Sequence, residues 1–249
     1  MNFQNRTRGI LAALEEHGSI DVHTLATLLQ ASEMTIRRDL VQLADQGLLI
    51  RTRGGAMRVD MAQPFRFEHK AAQRYEQKVH IAQLAAQQIE EGDTVFLDCG
   101  STVFQLCPFI RHKRIQIITN SLPIVSELLG SSVTINLVGG EVDADRQAVH
   151  GLMAAQHMQQ YRAKRAFIGV DGLSSQHGLS ANSEKEASTA LQMAAQAEHT
   201  YLLCDSSKLE RTSYFQFAPL TLAQVLITDA GADPALVTAY QQAGLTVLL

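Results

Sequence analysis

Thr35, Arg37 and Arg38 fall in one short stretch, and Arg51, Arg53 and Arg58 follow it around the pair Gly54-Gly55. An arginine guanidinium is a planar fork of N–H donors that fits two acceptors at once, whether on a guanine edge or on a phosphate. Threonine and serine add short hydroxyls that donate or accept. Such a set recognises an anionic surface rich in acceptors, provided that the backbone presents all of it on one side.

The flanking residues supply that presentation. Ser32 accepts from the free N–H groups of a helix start and Gly47 gives a left-handed stop, which predicts a helix over residues 33–46. At about 100° per residue, Ile36, Leu40 and Leu43 share one narrow stripe that must face a core. Arg38 then points away from that core with Arg37 and Thr35 on its flanks, while Asp39 lies nearer the core, suited to a structural hydrogen bond or ion pair. Upstream, Ile10, Leu11 and Leu14 recur at helical spacing before Gly18. Asp21 reads as the N-cap of a second helix bearing Val22, Leu25, Ala26, Leu28 and Leu29, and Gln30-Ala31 makes the turn into the third. Downstream, residues 48–53 are β-permissive, and the glycine pair, a backbone requirement, reverses the chain. The sum is a winged helix-turn-helix, whose third helix lies in a DNA major groove. Ser32 opens that helix, Thr35, Arg37 and Arg38 read the groove, and Arg51 and Arg53 neutralise phosphate. An arginine pair on an amphipathic helix is usually only a solvated face; the upstream helices and the wing decide for double-stranded DNA.

These residues resemble the DeoR family of bacterial transcription regulators in Ser32, Thr35-Ile-Arg-Arg-Asp-Leu40, Leu43, Gly47, Arg51 and Gly54-Gly-Ala56. Arg53 departs from the family, which often has His before the two glycines. The exchange keeps or raises the positive charge and so tunes phosphate contact.

The 249-residue chain has a formal charge of −4, which alone speaks against a nucleic-acid partner. Its distribution speaks for one. Residues 37–58 hold five arginines against Asp39 and Asp45, whereas residues 1–36 hold Arg6 and Arg8 against four acidic side chains. The positive field is confined to the third helix and the wing. So few cations per chain predict a homodimer or homotetramer that sets several reading heads on repeated half-sites. No apolar run approaches the roughly 18–20 residues of a membrane span. The polar start Met1-Asn-Phe-Gln-Asn-Arg6 lacks the apolar stretch of a signal peptide, so the expected place is the cytoplasm, with no membrane partner. Cys99, Cys107 and Cys204 are odd in number and form no Cys-x-x-Cys pair, which argues against a disulfide framework or a zinc site. No metal or cofactor is expected.

Pro64 and the mixed run Phe65 to Lys70 break the pattern, turning helical toward Tyr75, with Phe65 and Phe67 free to dock on a surface. The expected plan is a DNA-binding domain at 1–57, a linker at 58–75 and a second domain at 76–249. In that domain strand-like runs, Thr94 to Asp98, Ile115 to Thr119, Val133 to Val138, Ala166 to Val170, Tyr201 to Cys204, Val225 to Thr228 and Leu245 to Leu249, alternate with helical ones. Ser183 with Glu186 forms a capping box, Asp233-Pro234 starts a helix that Gly244 ends, and Pro108 keeps the helix after Thr102 short or kinked. The fold class is α/β: an N-terminal winged helix-turn-helix, then a larger, mostly parallel sheet.

Ligands of such sheets bind beyond the carboxyl ends of the strands. Gly100 allows a tight turn there, and Ser101, Thr102 and the following helix start offer donors to an anion. Lys208 adds a positive charge. Asp98, Thr119, Asn120, Asp171 and Glu184 suit hydroxyl groups, and Gly139 and Gly140 turn the chain at another strand end. A phosphate held among polyol-binding groups is a sugar phosphate or a phosphorylated sugar alcohol. The second domain also resembles the DeoR family, in Asp98, Gly100-Ser-Thr102, Thr119-Asn-Ser121, Gly139-Gly140, Gly151, Phe167-Ile-Gly169, Gly172, Gly178-Leu-Ser180, Glu184, Glu186-Ala187 and Asp205-Ser-Ser-Lys208. That resemblance implies a sensor similar in fold to sugar phosphate isomerases and a regulator, commonly a repressor, of a carbohydrate-use operon. Arg146 and His150 suit structural roles as well as effector contact. The rival class is an isomerase-like enzyme with Asp98, Asp171, Glu184 or Glu186 as base, but no catalytic set is recognisable. A redox switch at Cys99 is a third class.

Overall fold

The computed structural model describes residues 3–52, 54–58 and 67–249, the side chain of His69 excepted. They form two compact units, Met1–Tyr75 and Glu76–Leu249. No helix among the described residues is long and apolar enough to cross a membrane.

In the first unit α1 (Phe3–His17), β1 (Ser19–Asp21), α2 (Val22–Leu28) and α3 (Glu33–Asp45) lead into β2 (Leu49–Arg51), β3 (Gly55–Arg58) and α4 (Phe67–Ala72). Two of the helix starts have a side-chain cap. Asp21 accepts from the Thr24 N–H to open α2, and Ser32 accepts from the Thr35 N–H at 3.2 Å to open α3. Gly47, at φ 73°, ends α3 in the left-handed region. Ile36, Leu40 and Leu43 are fully buried, packed with Ile10, Leu14 and Leu25 of the first two helices. Burial of each such side chain contributes about 1.5–3 kcal/mol. Asp39 sits on the same buried side, and its carboxylate takes both the Nε and an Nη of Arg6, the latter at 3.1 Å. This ion pair clamps α1 to α3.

Two features differ from the sequence reading. The wing is part of a three-stranded antiparallel sheet in the order β1-β3-β2, because Ser19–Asp21 pairs with Gly55, Ala56 and Met57. The expected linker contains α4, which packs on β2 and buries Phe67. Phe65 and Arg53 lie outside the described residues.

The second unit continues with α5 (Tyr75–Gln87), which starts at the last residue of the first, then β4 (Thr94–Leu97), α6 (Ser101–Phe104), α7 (Cys107–Ile110), β5 (Gln116–Thr119), α8 (Leu122–Leu128), β6 (Thr134–Leu137), β7 (Glu141–Asp143), β8 (Ala148–His150) and α9 (Leu152–Met158). After these come β9 (Ala163–Gly169), β10 (Gly172–Ser174), β11 (Gly178–Ala181), α10 (Glu184–Ala195), β12 (Ala197–Leu203), β13 (Phe215–Ala218), β14 (Val225–Ile227), α11 (Pro234–Gln242) and β15 (Thr246–Leu248). All seven expected strands join one parallel sheet in the order β15-β14-β12-β9-β4-β5-β6. Both of its faces are covered. Phe96, Ile118, Ala166, Ile168 and Leu202 point into one core, and their neighbours Val95, Leu97, Ile117, Phe167 and Leu203 into the other. This is why the strands read as unbroken apolar runs rather than as alternation. Pro108 sits in the first turn of α7 and splits the segment after Thr102 into two short helices.

From β4 the chain builds outward through β5 to β6, then returns across to β9 and builds the other way through β12, β14 and β15. The order reverses between β4 and β9. In an open parallel sheet such a reversal leaves a crevice at the strands' carboxyl ends.

Candidate nucleic-acid interface and ligand site

The outer face of α3 carries Arg37 and Arg38, both exposed, with Thr35 half-buried beside them. Thr35 Oγ1 lies 2.9 Å from Ser32 Oγ, so these two hydroxyls already serve the helix start. Arg37 donates to Glu33 one turn back at 3.3 Å, and Glu33 also meets His23 Nδ1 at 3.3 Å. Arg38 makes no hydrogen bond or ion pair among the described residues and projects from the side opposite the buried stripe. In the wing, Arg51 is half-buried with its guanidinium carbon 5.5 Å from the centre of the Tyr75 ring. The residue expected from the sequence to neutralise phosphate is thus stacked on an aromatic ring. Arg58 donates to Glu15 at 2.8 Å.

Met34 escaped the sequence reading. It is 81% exposed in the first turn of α3, beside the arginines. A large apolar side chain on a groove-facing helix is suited to the C5-methyl of thymine. Met34→Ala is expected to weaken operator binding about fourfold, the worth of roughly one buried methyl. Replacing the contacted thymine by uracil should remove the difference, as read by fluorescence anisotropy.

In the second unit the strand reversal brings two glycines together. A Cβ on Gly100, which follows β4, would stand 3.4 Å from the Gly169 Cα at the end of β9, so the two backbones pass close to each other at the reversal. Asp98 accepts from the Gly169 N–H at 3.1 Å. Burial raises the pKa of this carboxyl, an effect opposed by that N–H and reinforced by the charge of Asp171. Asp171 accepts from the Asn182 N–H at 3.0 Å, and Lys208 reaches back to the Val170 carbonyl at 2.9 Å. Asp98, Gly100, Ser101, Thr102, Asp171 and Lys208 therefore gather around the reversal, with Asn120 close by through Cys99.

The other expected residues divide differently. Thr119 is wholly buried, and its hydroxyl donates to the Leu97 carbonyl while accepting from the Ser121 N–H. Its donor and one of its two acceptor positions thus serve the backbone. Gly139 donates to His157 Nδ1 at 3.1 Å, and Gly140 backs onto the His150 carbonyl, so these two belong with β8 and α9. Glu184 is exposed in the first turn of α10. Arg146 pairs with Glu186 at 3.0 Å, both side chains largely buried.

Lys78 is the main residue that sequence reasoning missed. It is only 3% exposed and donates to Ser101 Oγ at 3.0 Å, which puts a cation directly behind the Gly100 turn. The signal was there: Lys78 shares the apolar stripe of Ile81, Ala82 and Ala85 on α5. Because α6 is a single short turn, Lys78 and Lys208 supply more of the local positive field than its backbone dipole. Cys99 is buried, and burial beside Asp98 pushes its thiol well above the ordinary range, which makes it a poor nucleophile.

A winged helix with two exposed arginines on its outer helix, joined to a parallel sheet that gathers lysines and carboxylates at its strand reversal, defines a two-unit DNA-binding protein. Residues 6–62 match the DeoR-like helix-turn-helix domain and residues 73–230 the DeoR C-terminal sensor domain. The chain is 33% identical over 248 residues to the HTH-type transcriptional repressor GlcR of Bacillus subtilis (strain 168), spanning 99% of this chain and 96% of that protein. It is 33% identical over 238 residues to the lactose phosphotransferase system repressor of Streptococcus mutans, spanning 94% of each. The chain belongs to the DeoR family of DNA-binding transcription regulators. Among solved structures, ribose 5-phosphate isomerase A of Methanocaldococcus jannaschii superposes at a TM-score of 0.40, with 17% identity over 54% of each chain. At that score the likeness carries no weight, and the α/β assignment rests on the sheet order.

Proposed function

We propose that the chain is a cytoplasmic repressor of a carbohydrate-use operon, and that a phosphorylated sugar or sugar alcohol releases it from its operator. The observation that carries this reading is the meeting of Gly100 and Gly169 at the strand reversal, with Ser101, Lys78 and Lys208 around it and carboxylates beside it. Hydroxyls and ammonium groups bind phosphate, and carboxylates bind the hydroxyls of a polyol. The relatives named as repressors of sugar systems support the same reading. Binding rather than turnover fits the carboxylates: Asp98 and Asp171 accept backbone N–H bonds, and Glu186 is engaged by Arg146. A base needs freedom to take a proton from a substrate.

Release requires that the effector bind the non-operator state more tightly than the operator-bound one. The chain acts as a homodimer or homotetramer, which sets its few reading arginines on paired half-sites. The deciding experiment titrates full-length protein against DNA from upstream of its own gene, across a salt series, with and without a panel of sugar phosphates. The expected result is specific, salt-sensitive binding released by one compound. Binding that no compound alters, or turnover of a sugar phosphate, overturns the reading.

A further inference from the structure

Asn120 Oδ1 and His150 Nε2 are among the buried acceptors of the second unit that have no hydrogen-bond partner among the described residues. Both residues are closed to solvent, at 0% and 1% exposure. Their orientations are fixed by their other atoms. Asn120 Nδ2 donates to the Val149 carbonyl at 3.1 Å, so the amide oxygen is the atom left over. The Val149 N–H donates to the Asn120 carbonyl at 2.8 Å, which ties the end of β5 to the residue before His150.

Thr189 decides the tautomer of His150. Its hydroxyl donates its one proton to the Lys185 carbonyl at 2.9 Å, and so it accepts from the imidazole Nδ1–H at 3.1 Å. Nε2 then carries a bare lone pair. Burial holds the ring neutral by lowering its pKa, with Lys185 and Arg146 acting in the same sense and Asp143 and Glu141 against it. A buried acceptor without a donor is destabilising, and here two neutral ones are held in place on neighbouring elements. Asn120 also lies within hydrogen-bonding reach of the Cys99 thiol, beside Asp98 and the Gly100 turn.

We propose that Asn120 Oδ1 and His150 Nε2 accept hydrogen bonds from hydroxyl groups of the bound effector, so that this pair reads its polyol part while the Gly100 turn and its lysines hold the phosphate. The proposal rests on the sensor reading given above and narrows its ligand: the end of the molecule that meets this pair carries hydroxyl donors, not a carboxylate. A sugar-acid phosphate, which offers only acceptors there, is disfavoured.

Calorimetric titration of the full-length protein with glucitol 6-phosphate, fructose 6-phosphate, 6-phosphogluconate and inorganic phosphate tests it, with two variants of similar polarity. His150→Gln keeps an acceptor near the Nε2 position, whereas His150→Asn keeps only the donor toward Thr189. Wild type is expected to prefer glucitol 6-phosphate, which lacks a carboxylate, over 6-phosphogluconate. His150→Asn should lose about tenfold in affinity for glucitol 6-phosphate, the worth of one neutral hydrogen bond, and His150→Gln less than about threefold. Inorganic phosphate should bind all three proteins alike. If the polyol phosphate binds wild type and both variants equally, or both variants lose equally, the acceptor role is overturned and the sensor reading stands. If no compound binds wild type, the sensor reading itself falls, and this proposal with it.

Discussion

Arg38→Ala is expected to leave the protein folded and to erase most of the difference between operator and unrelated DNA. The side chain is exposed, lies opposite the buried Ile36, Leu40 and Leu43, and has no partner among the described residues. Its removal therefore breaks nothing inside the protein. One bidentate arginine–guanine contact is worth about 1–3 kcal/mol of discrimination, roughly 5- to 150-fold, at each half-site engaged. Competition binding against non-operator duplex measures this directly. Unchanged specificity would mean that α3 does not lie in the groove as its polarity implies. Arg37→Ala should cost less, because Arg37 gives up its bond to Glu33 in order to reach DNA.

Gly55→Ala is expected to collapse the wing, while Gly54→Ala is nearly silent. A Cβ on Gly55 would stand 2.1 Å from the Ile20 carbonyl oxygen and 2.6 Å from the Asp21 Cα, both backbone atoms of β1. Strand pairing cannot absorb that approach without separating β1 from β3. A Cβ on Gly54 would meet nothing within 4 Å among the described residues. Forced overpacking costs about 1–3 kcal/mol, and the lost wing geometry should reduce operator affinity as well. Thermal unfolding and operator titration of the two alanine variants, run side by side, test the contrast. Equal behaviour would show that β1 yields easily. The glycine pair reads as one backbone requirement in the sequence; the structure assigns that requirement to Gly55.

The pattern explains which parts of the molecule could be read in advance. The recognition helix was legible because Ser32, Gly47 and the Ile36–Leu40–Leu43 stripe each state one fact about the same element. The parallel strands were legible because they are buried on both faces and so consist of apolar runs. Their starts were less so. β9 begins at Ala163 rather than Ala166, and its early residues Lys164 and Arg165 are tolerated because Glu90 and Asp93 pair with them from a distant segment. β1, β7 and β8 are three residues each, too short for any period to show. Among the site residues, strand-end position singled out Asp98, Gly100 and Lys208, and the structure brings these three to the reversal. It also picked Thr119, whose hydroxyl turns inward to the backbone, because residue type does not reveal which way a hydroxyl faces. Lys78 was passed over because a lysine in a helix is ordinarily solvated.

Glu33 places a carboxylate on the reading face itself, bridging His23 and Arg37. Random DNA must compete with that carboxylate for Arg37, and it offers only phosphate in return. The operator can offer a base edge as well. Breaking the pair costs the same on any DNA, about 0.3–0.5 kcal/mol for an exposed pair one turn apart, so it weakens the grip of Arg37 on operator and random sequence alike and leaves the choice between them to contacts such as that of Arg38.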